Sequence, residues 1–127
     1  MTSAGDHEQG MKVRREVLGD AHVDRAEANK DEFTADFQDF ITRYAWGDIW
    51  ARPDLDRRSR SVATLAALIA LGAENEIAMH VRAALGNGLS EDEIKEVILH
   101  TAIYAGVPRA NAAFAIAQKV LAEERGG

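Results

Sequence analysis

Arg57-Arg58-Ser59-Arg60-Ser61-Val62-Ala63-Thr64-Leu65-Ala66-Ala67-Leu68-Ile69-Ala70-Leu71, closed by Gly72, is the stretch that decides the fold class. Asp54 or Asp56 can cap it as a helix start, through a carboxylate that accepts orphan amide protons. After Ser61 it is apolar almost all round. A helix of that kind is buried, in a core or between subunits. Gly72 is the natural stop, because a left-handed residue closes many helices and glycine enters that region without steric penalty.

Toward the C-terminus the same punctuation recurs. Glu74 to Gly86 reads as a helix, followed by the turn Asn87-Gly88. Ser90 with Glu93 forms a capping-box signature, opening a helix to about Tyr104. Gly106 stops that helix, and Pro108 suits the first position of a last helix to about Glu124. Toward the N-terminus, Phe33, Phe37, Phe40, Ile41 and Tyr44 fall at helical spacing and predict an amphipathic helix over 31–45. Trp46 to Pro53 breaks that period and reads as a bent connector holding both tryptophans. Met11 to Leu18 is a short helix stopped by Gly19, Asp20 can cap another through Asn29, and residues 1–10 read as a flexible tail. No segment alternates as a strand. The expected architecture is all-α, one compact domain of about six helices over 11–127. Ala66-Ala67, Ala83-Ala84 and Ala112-Ala113 permit close helix approach, and the nearly all-apolar helix predicts an oligomer.

The 127 residues suffice for one domain with a real core. A net charge of −6 argues against a nucleic-acid binder. Absent cysteine removes disulfides, thiolate nucleophiles and thiolate metal sites. No signal peptide is recognisable at the N-terminus, and the run Val62 to Gly72 is too short to span a bilayer. A soluble cytoplasmic protein with no membrane association is expected.

Chemistry therefore rests on polar side chains set in apolar helices. Glu76 and His80 stand one helical turn apart beside the stripe Ile77, Val81 and Leu85, at the boundary between buried and solvated faces. A carboxylate one turn before an imidazole favours the protonated ring, and such a pair can move a proton near neutral pH. The same spacing also describes an ordinary surface ion pair. His100 and Tyr104 repeat it, as further site residues or as a half-buried tyrosine beside a satisfied histidine. Glu76, His80 and His100 could in principle ligate a metal, but their spacing matches no closed metal motif and no metal is expected. Asn111 could donate to an anion at the start of the last helix or cap it locally. Arg52, Arg57, Arg58 and Arg60 are solvated charges or a carboxylate clamp.

Taken in order, these runs resemble one family. Asp56 to Leu68, Glu76-Ile77-Ala78-Met79-His80-Val81-Arg82-Ala83-Ala84-Leu85, Gly88, Ile94-Lys95-Glu96-Val97 and Tyr104-Ala105-Gly106-Val107-Pro108-Arg109-Ala110-Asn111-Ala112-Ala113 are similar to the carboxymuconolactone decarboxylase family, within the alkylhydroperoxidase D-like superfamily. Gly10-Met11-Lys12-Val13-Arg14-Arg15-Glu16-Val17-Leu18-Gly19 and Trp46-Gly47-Asp48-Ile49-Trp50 extend the match, which covers nearly all of 10–122. Peroxidase members of the superfamily carry Cys-x-x-Cys ahead of a histidine matching His80. Here those positions are Ala73 and Glu76, so thiol redox chemistry is unsupported.

The resemblance implies an all-helical, cofactor-free homo-oligomer, a trimer or hexamer. It implies decarboxylation of 4-carboxymuconolactone to the 3-oxoadipate enol-lactone in protocatechuate catabolism, the β-ketoadipate pathway. On that reading His80, tuned by Glu76, handles the proton or the oxyanion, and Arg52, Arg57 or Arg58 holds the remaining carboxylate. Tyr104, Asn111 and His100 line the substrate site, while Trp46 and Trp50 exclude water. A catalytically silent anion-binding oligomer, or a decarboxylase or isomerase of another lactone, are the alternatives.

Overall fold

Helix stops and caps do most of the work in ordering this chain. The computed structural model describes residues 6–126. These form α1 (His7–Leu18), α2 (Asp20–Asn29), α3 (Ala35–Ile41), a π-helical segment (Thr42–Trp50), α4 (Arg57–Leu71), α5 (Glu74–Gly86), α6 (Glu91–Ala105) and α7 (Val107–Gly126). No strand occurs among the described residues. The fold class is thus all-α, with seven α-helices among the described residues where about six were expected. Two compact units divide the chain, Met1–Leu55 and Asp56–Gly127.

In the first unit, α1 lies mainly against the π segment. Its start at His7, capped by the Asp6 carboxylate, is a turn earlier than the expected Met11. Residues 1–5 of the expected tail lie outside the described residues. Asp20 does not cap α2: Gly19 holds the cap position without a side-chain bond, and the Asp20 carboxylate accepts from Arg15 Nη1 at 2.9 Å. The helix expected over 31–45 and the connector expected from Trp46 are also redrawn. Asp31 and Thr34 bond into a turn, α3 is short, and the chain winds as a π-helix through Trp50 before the real connector begins. The backbones approach closely where the winding changes. A Cβ on Gly10 would lie 2.0 Å from the Thr42 carbonyl oxygen, and one on Gly47 would lie 3.0 Å from the Asp6 carbonyl oxygen. A π-helix admits an extra residue per turn, and such segments recur at functional sites.

The aromatic stripe on α3 does not enter a core. No α3 residue is buried, and Phe33 is 94 % exposed, with Phe37, Phe40 and Tyr44 also exposed. Val13, Val17, Val23 and Trp46 supply the buried apolar side chains of this unit.

The second unit follows its sequence signals closely. Asp56 caps α4 by accepting the Ser59 amide at 2.8 Å. Gly72 closes α4 in the left-handed region (φ 71°), and the Ala73 amide reaches back to the Leu68 carbonyl. The Ser90–Glu93 capping box is formed in both directions. Pro108 is the second rather than the first residue of α7. One core, centred on Leu65, Ile69, Ile77, Val81, Ile94 and Ile98, joins α4, α5 and α6 to the alanine face of α7 at Ala110, Ala113 and Ala117. Arg58 at the start of α4 pairs with Glu93 near the start of α6, so these helices run side by side in the same direction. Helix α5 returns antiparallel, and its Asn87 donates from Nδ2 to Ser61 Oγ at 2.9 Å.

Candidate active site

Helix α5 carries the sharpest candidates. Its core face buries Ile77, Val81 and Ala84, and His80 lies in the same arc at only 9 % exposure, with Nδ1 out of reach of solvent. A buried imidazole beside the core is a candidate for moving a proton. Glu76, one turn earlier, is exposed in the first turn of α5. The pair therefore straddles the boundary anticipated from the sequence.

His100 and Tyr104 meet on α6 with tilted rings, centroids 5.4 Å apart and planes at 46°. Tyr104 is 80 % exposed, not half-buried, and His100 is exposed as well. The reason lies in α6's core face, which is spent on Ile94, Ile98 and Thr101. Helix α7 begins at Val107, so Asn111 stands inside the helix, exposed, and cannot be its cap.

The arginines divide. Arg57 opens α4 and is half-buried. Arg58 is engaged with the Glu93 carboxylate, and Arg60 is half-buried one turn on. Asp56, beside them, is held below the ordinary carboxylate range by hydrogen bonds from the hydroxyl and amide of Ser59. Within the first unit, Arg52 pairs with Asp54 at 3.3 Å. Trp46 is buried, Trp50 is partly buried, and their ring centroids lie 5.1 Å apart.

Among the described residues no group of three or more His, Asp or Glu side chains is gathered to hold a metal ion, so Glu76, His80 and His100 do not form a ligand set. No helix among the described residues is long and apolar enough to cross a membrane. Three buried polar side chains were not anticipated from the sequence: Arg14, Thr42 and Ser61, the last accepting from Asn87. Arg14 was findable, because it falls with Gly10, Val13 and Val17 on one helical stripe.

The sequence profile of the carboxymuconolactone decarboxylase family matches residues 35–119. A 4-carboxymuconolactone decarboxylase of Acinetobacter baylyi (strain ATCC 33305 / BD413 / ADP1) is 52 % identical over 114 residues, 90 % of this chain and 85 % of that protein. The nitrosuccinic acid decarboxylase npaB of Metarhizium robertsii (strain ARSEF 23 / ATCC MYA-3075) is 43 % identical over 114 residues, 90 % of this chain and 80 % of that protein. A 4-carboxymuconolactone decarboxylase of Pseudomonas putida is 55 % identical over 42 residues, 33 % of this chain and 88 % of that sequence.

Proposed function

The chain belongs to the carboxymuconolactone decarboxylase family, and from that membership we infer that it is a carboxy-lyase. It removes CO2 from 4-carboxymuconolactone to give the 3-oxoadipate enol-lactone, in the protocatechuate branch of the β-ketoadipate pathway. The observation that carries this reading is 52 % identity, across nearly the whole of both chains, to an enzyme named for that reaction. A cytoplasmic catabolic enzyme is the setting that fits.

The substrate supplies its own electron sink. As the C–CO2 bond breaks, its electron pair passes through the ring double bond to the lactone carbonyl, and a dienolate forms. A proton delivered to carbon completes the enol-lactone. The protein must stabilise the oxyanion, donate that proton and hold the carboxylate that stays. His80 is proposed for the proton or the oxyanion, with Glu76 tuning it through charge from the exposed side of the same helix. Tyr104, Asn111 and His100 are proposed as further substrate donors, and Arg52, Arg57 or Arg58 as the carboxylate clamp. Trp46 and Trp50 are proposed as substrate-binding residues that exclude water. An apolar surrounding for the departing carboxylate favours neutral CO2.

The active form is proposed to be a homo-oligomer. Exposed apolar surface is what an association site uses. Large apolar side chains are exposed at Phe33, just before α3, at Phe37 and Phe40 on it, and in the second unit at Leu71, Ile103 and Val107.

The test follows loss of the lactone's ultraviolet absorbance by purified protein. His80→Ala and Glu76→Gln should each lose most turnover while keeping helix content and oligomer size; near-normal turnover by both removes the assigned roles. A second reading is favoured by the 43 % identical nitrosuccinic acid decarboxylase. A nitro group beside the leaving carboxylate is also an electron sink and would take the pair as a nitronate. The lactone reading requires kcat/KM for the lactone to exceed that for nitrosuccinate.

A further inference from the structure

Arg14 is buried at 4 % exposure on the α1 face that meets the π segment. Nη1 donates to Thr42 Oγ1 at 3.2 Å and Nη2 donates to Gln38 Oε1 at 3.1 Å. The Thr42 hydroxyl in turn donates to the Gln38 carbonyl at 2.8 Å. Among the described residues no carboxylate forms an ion pair with Arg14, and Nε is buried without an acceptor. Loss of hydration lowers its pKa from the ordinary arginine value, partly opposed by the more distant charge of Glu27. An apolar side chain would fill the same space without the desolvation penalty. Stability alone therefore does not account for a guanidinium here.

Its placement does. Gln38 lies on α3 and Thr42 is the first π-helical residue, so a single planar fork spans the point where the winding changes. Every later side chain of the segment takes its direction from that point. Gly10, one turn earlier on α1, brings the backbone close enough for the fork to reach.

We propose that Arg14 is a positioning residue that fixes the α-to-π switch, and through it the orientation of Trp46, Trp50 and Arg52. One part of this rests on the function proposed above, namely that those three residues bind substrate.

Both tryptophans of the chain lie in the π segment, so intrinsic fluorescence reports on it directly. Arg14→Met should keep far-ultraviolet helix content and oligomer size. Its tryptophan emission should shift to the red and acrylamide quenching should rise. KM for the lactone should increase about tenfold, with kcat changed much less, as expected when substrate binding rather than chemistry is disturbed. Arg14→Lys should follow Arg14→Met, because an ammonium keeps the charge but not the two-pronged geometry. Parental emission and quenching in Arg14→Met overturns the proposal, as does full restoration by lysine. A lowered unfolding midpoint with emission and KM intact also overturns it, since that is a purely structural role. If Arg14→Met does not fold, Thr42→Val removes one acceptor at nearly constant shape, and unchanged emission there is equally decisive. Fluorescence decides the positioning claim even if the parent protein fails to turn over the lactone, which would count against the function instead.

Discussion

Replacing Gly10 by alanine tests the close crossing that shapes the first unit. The added Cβ would lie 2.0 Å from the Thr42 carbonyl oxygen, 2.9 Å from its carbon and 3.1 Å from the Gly47 nitrogen. All three are backbone atoms, so no side chain can swing aside. Restoring a 3.0 Å separation requires the backbones to part by about 1 Å. Overpacking of this order costs roughly 3 kcal/mol, and alanine's better helix propensity returns about 1, leaving a net loss near 2 kcal/mol or more. Gly86→Ala is the matched control. It is the last residue of α5, whereas Gly10 lies in the first turn of α1, and nothing lies within 4 Å of its Cβ. It should stabilise by about 0.5–1 kcal/mol. Urea unfolding at fixed protein concentration, followed by circular dichroism, should therefore separate the two variants by roughly 3 kcal/mol. A separation under about 1 kcal/mol would refute the reasoning, because the crossing would then be soft enough to absorb a methyl group.

Three further outcomes follow from the geometry. Ser90→Ala removes the hydroxyl that accepts the Glu93 amide and should lower unfolding stability by about 1 kcal/mol in the same urea assay. Asp56→Asn should change the acid limb of the stability curve: the folded carboxyl lies below its ordinary value, so its contribution is complete above that value and disappears as pH falls through the lowered one. The gap between parent and variant should thus narrow as urea midpoints are taken from about pH 5 downward. Phe37→Glu alters an exposed residue of α3, and sedimentation velocity should show smaller species with unchanged helix content; an unchanged sedimentation coefficient would mean that the α3 stripe is not the association surface.

Where local chemistry sets a boundary, the sequence disclosed it. Gly72, Ser90 with Glu93, and Gly106 act on their own turns, and α4 to α6 begin and end as they indicate. The π segment was not legible, because it lies where α1 meets it through Gly10 and Arg14, residues far from Thr42 in the chain. Periodicity located the aromatic face of α3 but could not say what covers it. Burial of His80 was half legible, since its wheel position put it beside the stripe, not within it. Arg14 was overlooked because a charge on an apolar stripe is ordinarily read as solvated. The exposure of Tyr104 depended on which face of α6 the core claims.

Glu93 serves two masters. One carboxylate oxygen accepts the Ser90 amide and the other pairs with Arg58, tying the beginnings of α4 and α6 to a single anion. Any incoming carboxylate that recruits Arg58 is thus a rival to Glu93, and occupancy at α4 would be felt as loosening at α6. The enzyme would then register its ligand some distance from the bond that breaks, as faster amide hydrogen exchange in the first turn of α6.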